Sequence, residues 1–113
     1  MAMKYYFDRE NGMTIGVLNG CKHDALHHID RITNNTSFCA YNKKYLMPNT
    51  FRAVAKVSDG DVFNEEVGKN IVKDKVMKKY YDSLDHRMSM FMSEVYELYH
   101  KCFDEDDGNG SAT

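Results

Sequence analysis

Proline and tryptophan are nearly absent, with one proline, Pro48, and no tryptophan in 113 residues. Because proline interrupts helices, the chain after residue 48 can form a long helix. No apolar run approaches the roughly eighteen residues that a membrane-spanning helix requires. Residues 1–8 carry one basic residue and no apolar run, so we do not expect a signal peptide. These absences predict a cytoplasmic protein with no membrane contact.

Cysteine is also scarce, and its pattern argues against two classes of protein. Cys21, Cys39 and Cys102 are odd in number and far apart, and no C-x-x-C pair occurs. A secreted disulfide framework and a zinc ribbon both need paired cysteines. The reducing cytoplasm is therefore the expected environment.

Motifs for catalysis, phosphate binding and metal binding are missing as well. The sequence has no G-x-S-x-G, P-loop or G-x-G-x-x-G. His23 and His27 would share a helix face near Cys21, but no second ligand pair is evident, which favours surface histidines. Asp59 begins like a calcium loop, but Phe63 stands at the fifth position of that loop. We therefore predict a binding protein, not an enzyme, with no cofactor or metal.

The charge is small in total and uneven along the chain. The formal net charge is −2, and residues 104–113 hold four acids and no base. We predict that this acidic segment is a disordered tail, because it has no apolar anchor. Residues 1–103 would then form a single domain. Without the tail the chain is nearly neutral, which argues against nucleic acid as a partner.

A β-hairpin is predicted near the N-terminus. Asn11-Gly12 separates two β-prone segments and favours the positive φ angles of a type I′ turn. We expect antiparallel strands near residues 4–9 and 13–18.

The chain between the hairpin and residue 57 is mixed in character. Residues 21–35 fit a helix that Asn34-Asn35 would end, with a loop containing one helical turn as the alternative. Residues 36–41 are rich in β-formers and predict a strand. Residues 50–57 alternate between apolar and other residues and predict a further strand.

The C-terminal part of the chain has helical periodicity. Residues 62–103 contain no proline and predict two long helices with a break at Asp82-Ser83, or one continuous helix. An early apolar face holds Val67, Ile71, Val72 and Val76. A seam with a 3.5-residue period follows, at Met77, Tyr81, Leu84, Met88, Phe91, Val95, Leu98 and Cys102. A second stripe beside it holds Met92, Tyr96, Tyr99 and Phe103.

The fold class that these elements predict is α+β, with a small N-terminal antiparallel sheet followed by the long C-terminal helices. A helix at the edge of a small domain buries only one stripe. We therefore expect the second stripe to pack on another subunit and to give a homo-oligomer. The alternative is a compact monomer that buries both stripes.

The junction between residues 50–57 and the long helix is the predicted binding site. A helix start offers free backbone N–H groups. Arg52 and Lys56 could pair with a phosphate, and Asn64 could contact phosphate or ribose. Phe63 could stack on a base, as could Phe51, Tyr80 or Tyr81. The alternative is that these residues are solvated strand charges and helix caps.

Residues 51–72, FRAVAKVSDGDVFNEEVGKNIV, resemble a pattern found in small proteins of phages and prophages of low-GC Gram-positive bacteria. Its core is D-x-F-N-x-E-x-G, at residues 61–68. The chain departs from the pattern at Val57, where those proteins usually have cysteine, and lacks their proline before the acids. The matching residues are Ala53, Ala55, Asp59, Asp61, Phe63, Asn64, Glu66, Gly68, Lys69 and Ile71.

Within phage proteins, a sheet followed by two long helices resembles the anti-Thoeris sponge proteins. That resemblance implies an anti-defence protein of the host cytoplasm that sequesters a cyclic ADP-ribose type of signal by binding, in sites between subunits. Two alternatives stay open at this point. One is a protein-binding inhibitor of a host defence complex, of the anti-CRISPR type, and the other is a nucleic-acid-binding phage accessory protein.

Overall fold

The N-terminal hairpin is present, but its turn differs from the prediction. In the computed structural model, which describes residues 2–34 and 43–111, strands β1 (Ala2–Asp8) and β2 (Met13–Asn19) pair antiparallel. Only Gly12 in the turn has a positive φ, of 62°. The predicted type I′ turn is therefore wrong, since it needs two such residues. The turn is a longer loop in which the Asp8 carboxylate accepts a hydrogen bond from the Asn11 backbone N–H at 3.2 Å.

The third strand extends the hairpin into a sheet of order β1-β2-β3. Strand β3 (Thr50–Lys56) pairs antiparallel with β2 and sets Phe51 opposite Leu18 and Ala53 opposite Gly16. Phe51 and Ala53 are buried and Arg52 is exposed. The predicted strand over residues 50–57 is confirmed.

A short helix connects the hairpin to the rest of the chain. Helix α1 (Asp24–Thr33) buries Ala25, Leu26 and Ile29. It ends at Asn34, whose φ of 55° is left-handed. Asparagine tolerates this conformation, so the predicted helix and its stop are both confirmed. The strand predicted over residues 36–41 lies outside the described residues.

The C-terminal helix is continuous. Helix α2 (Glu65–Ser111) is 47 residues long and runs through Asp82-Ser83, so the break considered there is wrong. The Arg87 guanidinium donates to the Ser83 hydroxyl at 2.7 Å and to the Ser83 carbonyl at 3.2 Å. These bonds satisfy the serine within the helix, where it would otherwise favour a cap. The boundary between a domain of residues 1–103 and an acidic tail stays a prediction.

The main core forms where α2 crosses one face of the sheet. Helix residues spaced by four, Val72, Val76, Tyr80 and Leu84, are buried there. Val67 and Ile71, which share the early apolar face with Val72 and Val76, are instead 53% and 42% exposed. The core consists of Leu18, Cys21, Ala25, Met47, Phe51, Ala53, Val76, Tyr80 and Leu84. The α+β fold class is confirmed.

A second cluster anchors the middle of the long helix. Leu26, Ile29, Tyr45 and Phe91 pack together and are buried. The Tyr45 hydroxyl donates to the Glu94 carboxylate, which also pairs with Lys44. These two partners lower the pKa of Glu94. The Tyr45–Glu94 bond joins residues 49 positions apart.

Beyond this anchor the helix projects from the body of the protein. The molecule extends 76 × 27 × 17 Å. The apolar side chains of the projecting segment are 44–64% exposed, at Met92, Val95, Tyr96, Leu98 and Tyr99. Within residues 2–34 and 43–111, no helix has the length and apolarity that crossing a membrane would require.

Candidate functional site

A cleft of about 400 Å³ lies between the hairpin turn, the end of β3 and the start of α2. Small-molecule sites typically measure about 300–1,000 Å³, so the cleft is large enough for a compact ligand. It brings together Lys56, Phe63 and Asn64 from the predicted site. The lining residues are Gly12, Thr14, Ala55, Lys56, Val57, Ser58, Asp61, Val62, Phe63, Asn64, Val67, Gly68 and Ile71.

One wall of the cleft forms because the hairpin turn is attached to the end of β3. The Val57 N–H donates to the Gly12 carbonyl at 2.8 Å. A Cβ at Gly12 would lie 2.3 Å from Val57 Cγ1, and its φ is positive. Glycine is therefore required here both by the space and by the backbone conformation. Gly12, predicted only as a turn residue, therefore also lines the cleft.

Asn64 has a structural role at the start of helix α2. Its side-chain oxygen accepts a hydrogen bond from the Val67 N–H at 3.1 Å, and its carbonyl accepts one from Gly68 at 3.0 Å. This is the geometry of an N-cap. The side-chain oxygen of Asn64 therefore caps the helix, as the alternative interpretation proposed. Only the side-chain N–H₂ group of Asn64 is left to donate a hydrogen bond to a ligand.

Gly68 packs directly against Thr14 of the sheet. A Cβ there would lie 2.2 Å from Thr14 Oγ1 and 3.0 Å from Thr14 Cβ. Thr14 is 1% exposed. The asparagine and glycine of D-x-F-N-x-E-x-G thus have physical roles of their own, since one starts the helix and the other lets it lie against β2.

Phe63 is half-buried and has a cationic neighbour that the sequence did not suggest. The Arg9 guanidinium lies 5.9 Å from the centre of the Phe63 ring. It also pairs with Glu65 at 2.6 Å, although the Arg9 side chain is 73% exposed. The only sequence signals for this contact are a basic residue in the hairpin turn, Arg9, and two acidic residues in the first turn of α2, Glu65 and Glu66. Arg9 thus joins Lys56 as a second cation at the site.

Arg52 does not line the cleft. It lies four residues before Lys56 on β3, which is roughly 13 Å along a strand. Its side chain is exposed, and its carbonyl accepts a hydrogen bond from Lys79 Nζ at 2.7 Å. The structure therefore separates Arg52 from the other three predicted ligand residues.

Two of the additional stacking candidates are core residues. Phe51 and Tyr80 are 8% and 4% exposed, and their rings pack edge to face at 5.9 Å. The Tyr80 hydroxyl donates to the Asp24 carboxylate at 2.7 Å and so ties α1 to α2. Burial, followed by the Asp24 contact, raises the pKa of Tyr80 well above its ordinary value. Tyr81 is 53% exposed and does not line the cleft.

The cysteine and histidine residues near α1 do not form a metal site. Cys21 is fully buried in the core, and burial raises the pKa of its thiol. Asp24 is bonded to Tyr80, while the exposed His23 and His27 rings stack at 6.2 Å. Over the part of the chain that the structure describes, no group of three or more histidine, cysteine or acidic residues could hold a metal ion.

Comparisons with protein-family models, with curated proteins and with solved structures find no match for this chain. The resemblance to phage proteins and the function it implies therefore stay predictions. The geometry of the cleft is the physical basis on which a function can be proposed.

Proposed function

We propose that this protein is a non-enzymatic, phage-derived anti-defence protein that sequesters a small nucleotide signal of the cyclic ADP-ribose type. The observation that carries the proposal is the cleft of about 400 Å³ that gathers Lys56, Phe63 and Asn64 at the start of α2. The protein would act in the host cytoplasm by lowering the free concentration of the signal.

The composition of the cleft suits a nucleotide better than a bare ion. Phe63 offers a half-buried ring on which a base can stack, and the apolar residues Val57, Val62 and Ile71 extend that surface. Lys56 supplies positive charge for a phosphate. Arg9 can join it, because the exposed Arg9 side chain is free to exchange Glu65 for a ligand phosphate.

The acids beside the cleft limit how much charge the ligand can carry. Asp61 lines it, and Glu65 and Glu66 follow in the first helical turn. These acids oppose a highly charged anion. A ligand that carries two phosphates and a flat aromatic base therefore suits the site better than a free triphosphate.

Calorimetric titration with cyclic ADP-ribose as the probe tests the proposal. We expect saturable binding, and we expect Phe63→Ala to weaken it about 5- to 150-fold, because stacking of one base on an aromatic ring contributes about 1–3 kcal/mol. Asn64→Ser keeps a capping oxygen and removes the amide N–H₂. A loss of affinity in this variant would therefore report a ligand contact and not an unfolded helix start.

Arg52→Ala is the matched control. It also removes a cation from the same strand, but outside the cleft. Its affinity should stay within about twofold of the wild type. Equal loss in Arg52→Ala and Lys56→Ala would place the ligand elsewhere. No heat of binding for cyclic ADP-ribose or related cyclic nucleotides would count against the proposal.

Native mass spectrometry tests the same idea without a chosen ligand. Protein purified from cells with an active nucleotide-signalling defence system should carry an adduct of a few hundred daltons. Protein from cells without that system should not. A clean mass in both samples would contradict sequestration.

A further inference from the structure

The projecting end of α2 carries an apolar stripe whose side chains are largely exposed. We define the stripe as Met92, Val95, Tyr96 and Tyr99. At 100° per residue these four lie within about 100° of one another around the helix. They are 44–64% exposed.

All charged residues of the segment 88–102 lie on the opposite side of the helix. Glu94, Glu97 and Lys101 fall within about 60° of one another, roughly opposite the stripe. Glu94 contacts Tyr45 and Lys44 of the body, so the charged side faces the body at that point. One half of the helix circumference is therefore uncharged over this segment.

The exposed area is sufficient for a specific interface. Aromatic side chains bury about 150–250 Å² each. With the adjacent Leu98, at 63% exposure, the stripe presents on the order of 500 Å² of apolar surface. The largest apolar patch on a soluble monomer is typically about 300–600 Å² and is often functional. Two copies facing each other would bury on the order of 1,000 Å², which is the lower bound for a specific interface.

We propose that a second copy of this chain covers the stripe, with the two helices antiparallel. Apolar side chains would meet apolar side chains, with no charge between them. An antiparallel pair brings the N-terminal end of one helix dipole beside the C-terminal end of the other, which is electrostatically more favourable than a parallel pair. The cleft lies about 48 Å along the helix from Tyr96, so the dimer contact does not build the ligand site.

Light scattering after size exclusion tests the dimer. The wild type should have a mass of about 26 kDa, twice the 13.1 kDa chain. Tyr96→Glu places a charge at the centre of the stripe and should raise the dimer dissociation constant about 30-fold or more. Ile32→Glu is the matched control, because Ile32 on α1 and Tyr96 are both 64% exposed. The control should stay dimeric, and circular dichroism should show both variants folded.

Small-angle X-ray scattering tests the orientation. An antiparallel pair that overlaps over roughly twenty helical residues would extend about 120 Å, against 76 Å for one chain. A dimer no longer than about 80 Å would overturn the antiparallel arrangement. A monomeric wild type at 100 µM, or a Tyr96→Glu variant that dimerises like the control, would overturn the interface and favour a host protein on this stripe. The affinity for cyclic ADP-ribose should be unchanged in Tyr96→Glu. The dimer can therefore be refuted without refuting ligand binding in the cleft, and the reverse also holds.

Discussion

The substitution Gly68→Ala sets two physical effects against each other. In an exposed helix, alanine is about 1 kcal/mol more favourable than glycine. At position 68, however, the new methyl group would lie 2.2 Å from Thr14 Oγ1. Thr14 is 1% exposed and lies on β2, the central strand, so it has little room to move.

The packing effect should exceed the propensity effect. Inserting a methyl group into a well-packed interior costs about 1–3 kcal/mol, and the short approach puts this site in the upper part of that range. After subtraction of the propensity gain, we expect Gly68→Ala to lower the free energy of unfolding by about 1–2 kcal/mol.

Urea denaturation followed by circular dichroism measures this difference. The control is Asn70→Ala on the same helix turn, where the side chain is exposed. There only propensity acts, and the free energy of unfolding should rise by a few tenths of a kcal/mol. Thr14→Ala removes the hydroxyl that the new methyl group would strike, so the double variant should show a favourable coupling of about 1 kcal/mol.

A Gly68→Ala protein that is about 1 kcal/mol more stable than the wild type would refute the reasoning. It would mean that α2 does not lie against β2 at Thr14. An absence of coupling with Thr14→Ala would contradict the contact itself, whatever the stability of the single variants.

Two further variants test the attachment of α2 to the rest of the fold. Burial and the Asp24 contact raise the pKa of Tyr80 above its ordinary value near 10, so the stability it contributes is complete below about pH 10 and is lost as the pH rises further. Tyr80→Phe should therefore lower the free energy of unfolding at pH 8 by about 1 kcal/mol and flatten its decline above pH 10, as measured by urea denaturation across pH. Lys75 and Lys79 donate to the Val54 and Arg52 carbonyls on the outer edge of β3. Replacing both lysines with alanine should increase light scattering on heating, because an uncovered strand edge promotes aggregation, and equal scattering from the exposed pair Lys73→Ala with Lys78→Ala would contradict this role.

The hairpin, β3 and α1 could be predicted because their signals are local. Asn34 takes the left-handed conformation that ends α1, as its position after an apolar helical pattern indicates. The prediction of a type I′ turn at Asn11-Gly12 was wrong, because Asp8 accepts hydrogen bonds from Asn11 and stabilises a longer loop. The same Asn-Gly dipeptide can occur in a two-residue turn or in a longer loop. The contact that favours the loop here involves Asp8, which lies outside the dipeptide.

The face of α2 that packs on the sheet was harder to predict. Hydrophobic periodicity grouped Val67 and Ile71 with the buried Val72, but both are exposed, and the contact with Thr14 of the sheet is made at Gly68. A glycine contributes no hydrophobic signal, although its missing side chain is what permits the contact. Tyr80 was also not predicted as a core residue. Its buried hydroxyl needs a hydrogen-bond partner, and that partner, Asp24, lies 56 residues earlier in the chain.

Three of the four predicted ligand residues line one cleft because they are close in sequence, at a junction where the chain turns. Arg52 was included because it shares a strand face with Lys56. The cleft, however, lies at the end of the strand and not along it. Arg9 was missed because only the docking of the hairpin turn on the start of α2 brings it to Phe63.

The crossing of the sheet by α2 also has a consequence for synthesis of the chain. The ribosome completes the hairpin long before it adds the helix residues that cover the hairpin, since Leu18 and Leu84 share a core but are 66 residues apart. At about 5–20 residues per second, the inner face of the hairpin stays uncovered for roughly 3–13 s. During that time Gly16 and Thr14 give the face little apolar surface, and this limits its tendency to associate before the helix arrives.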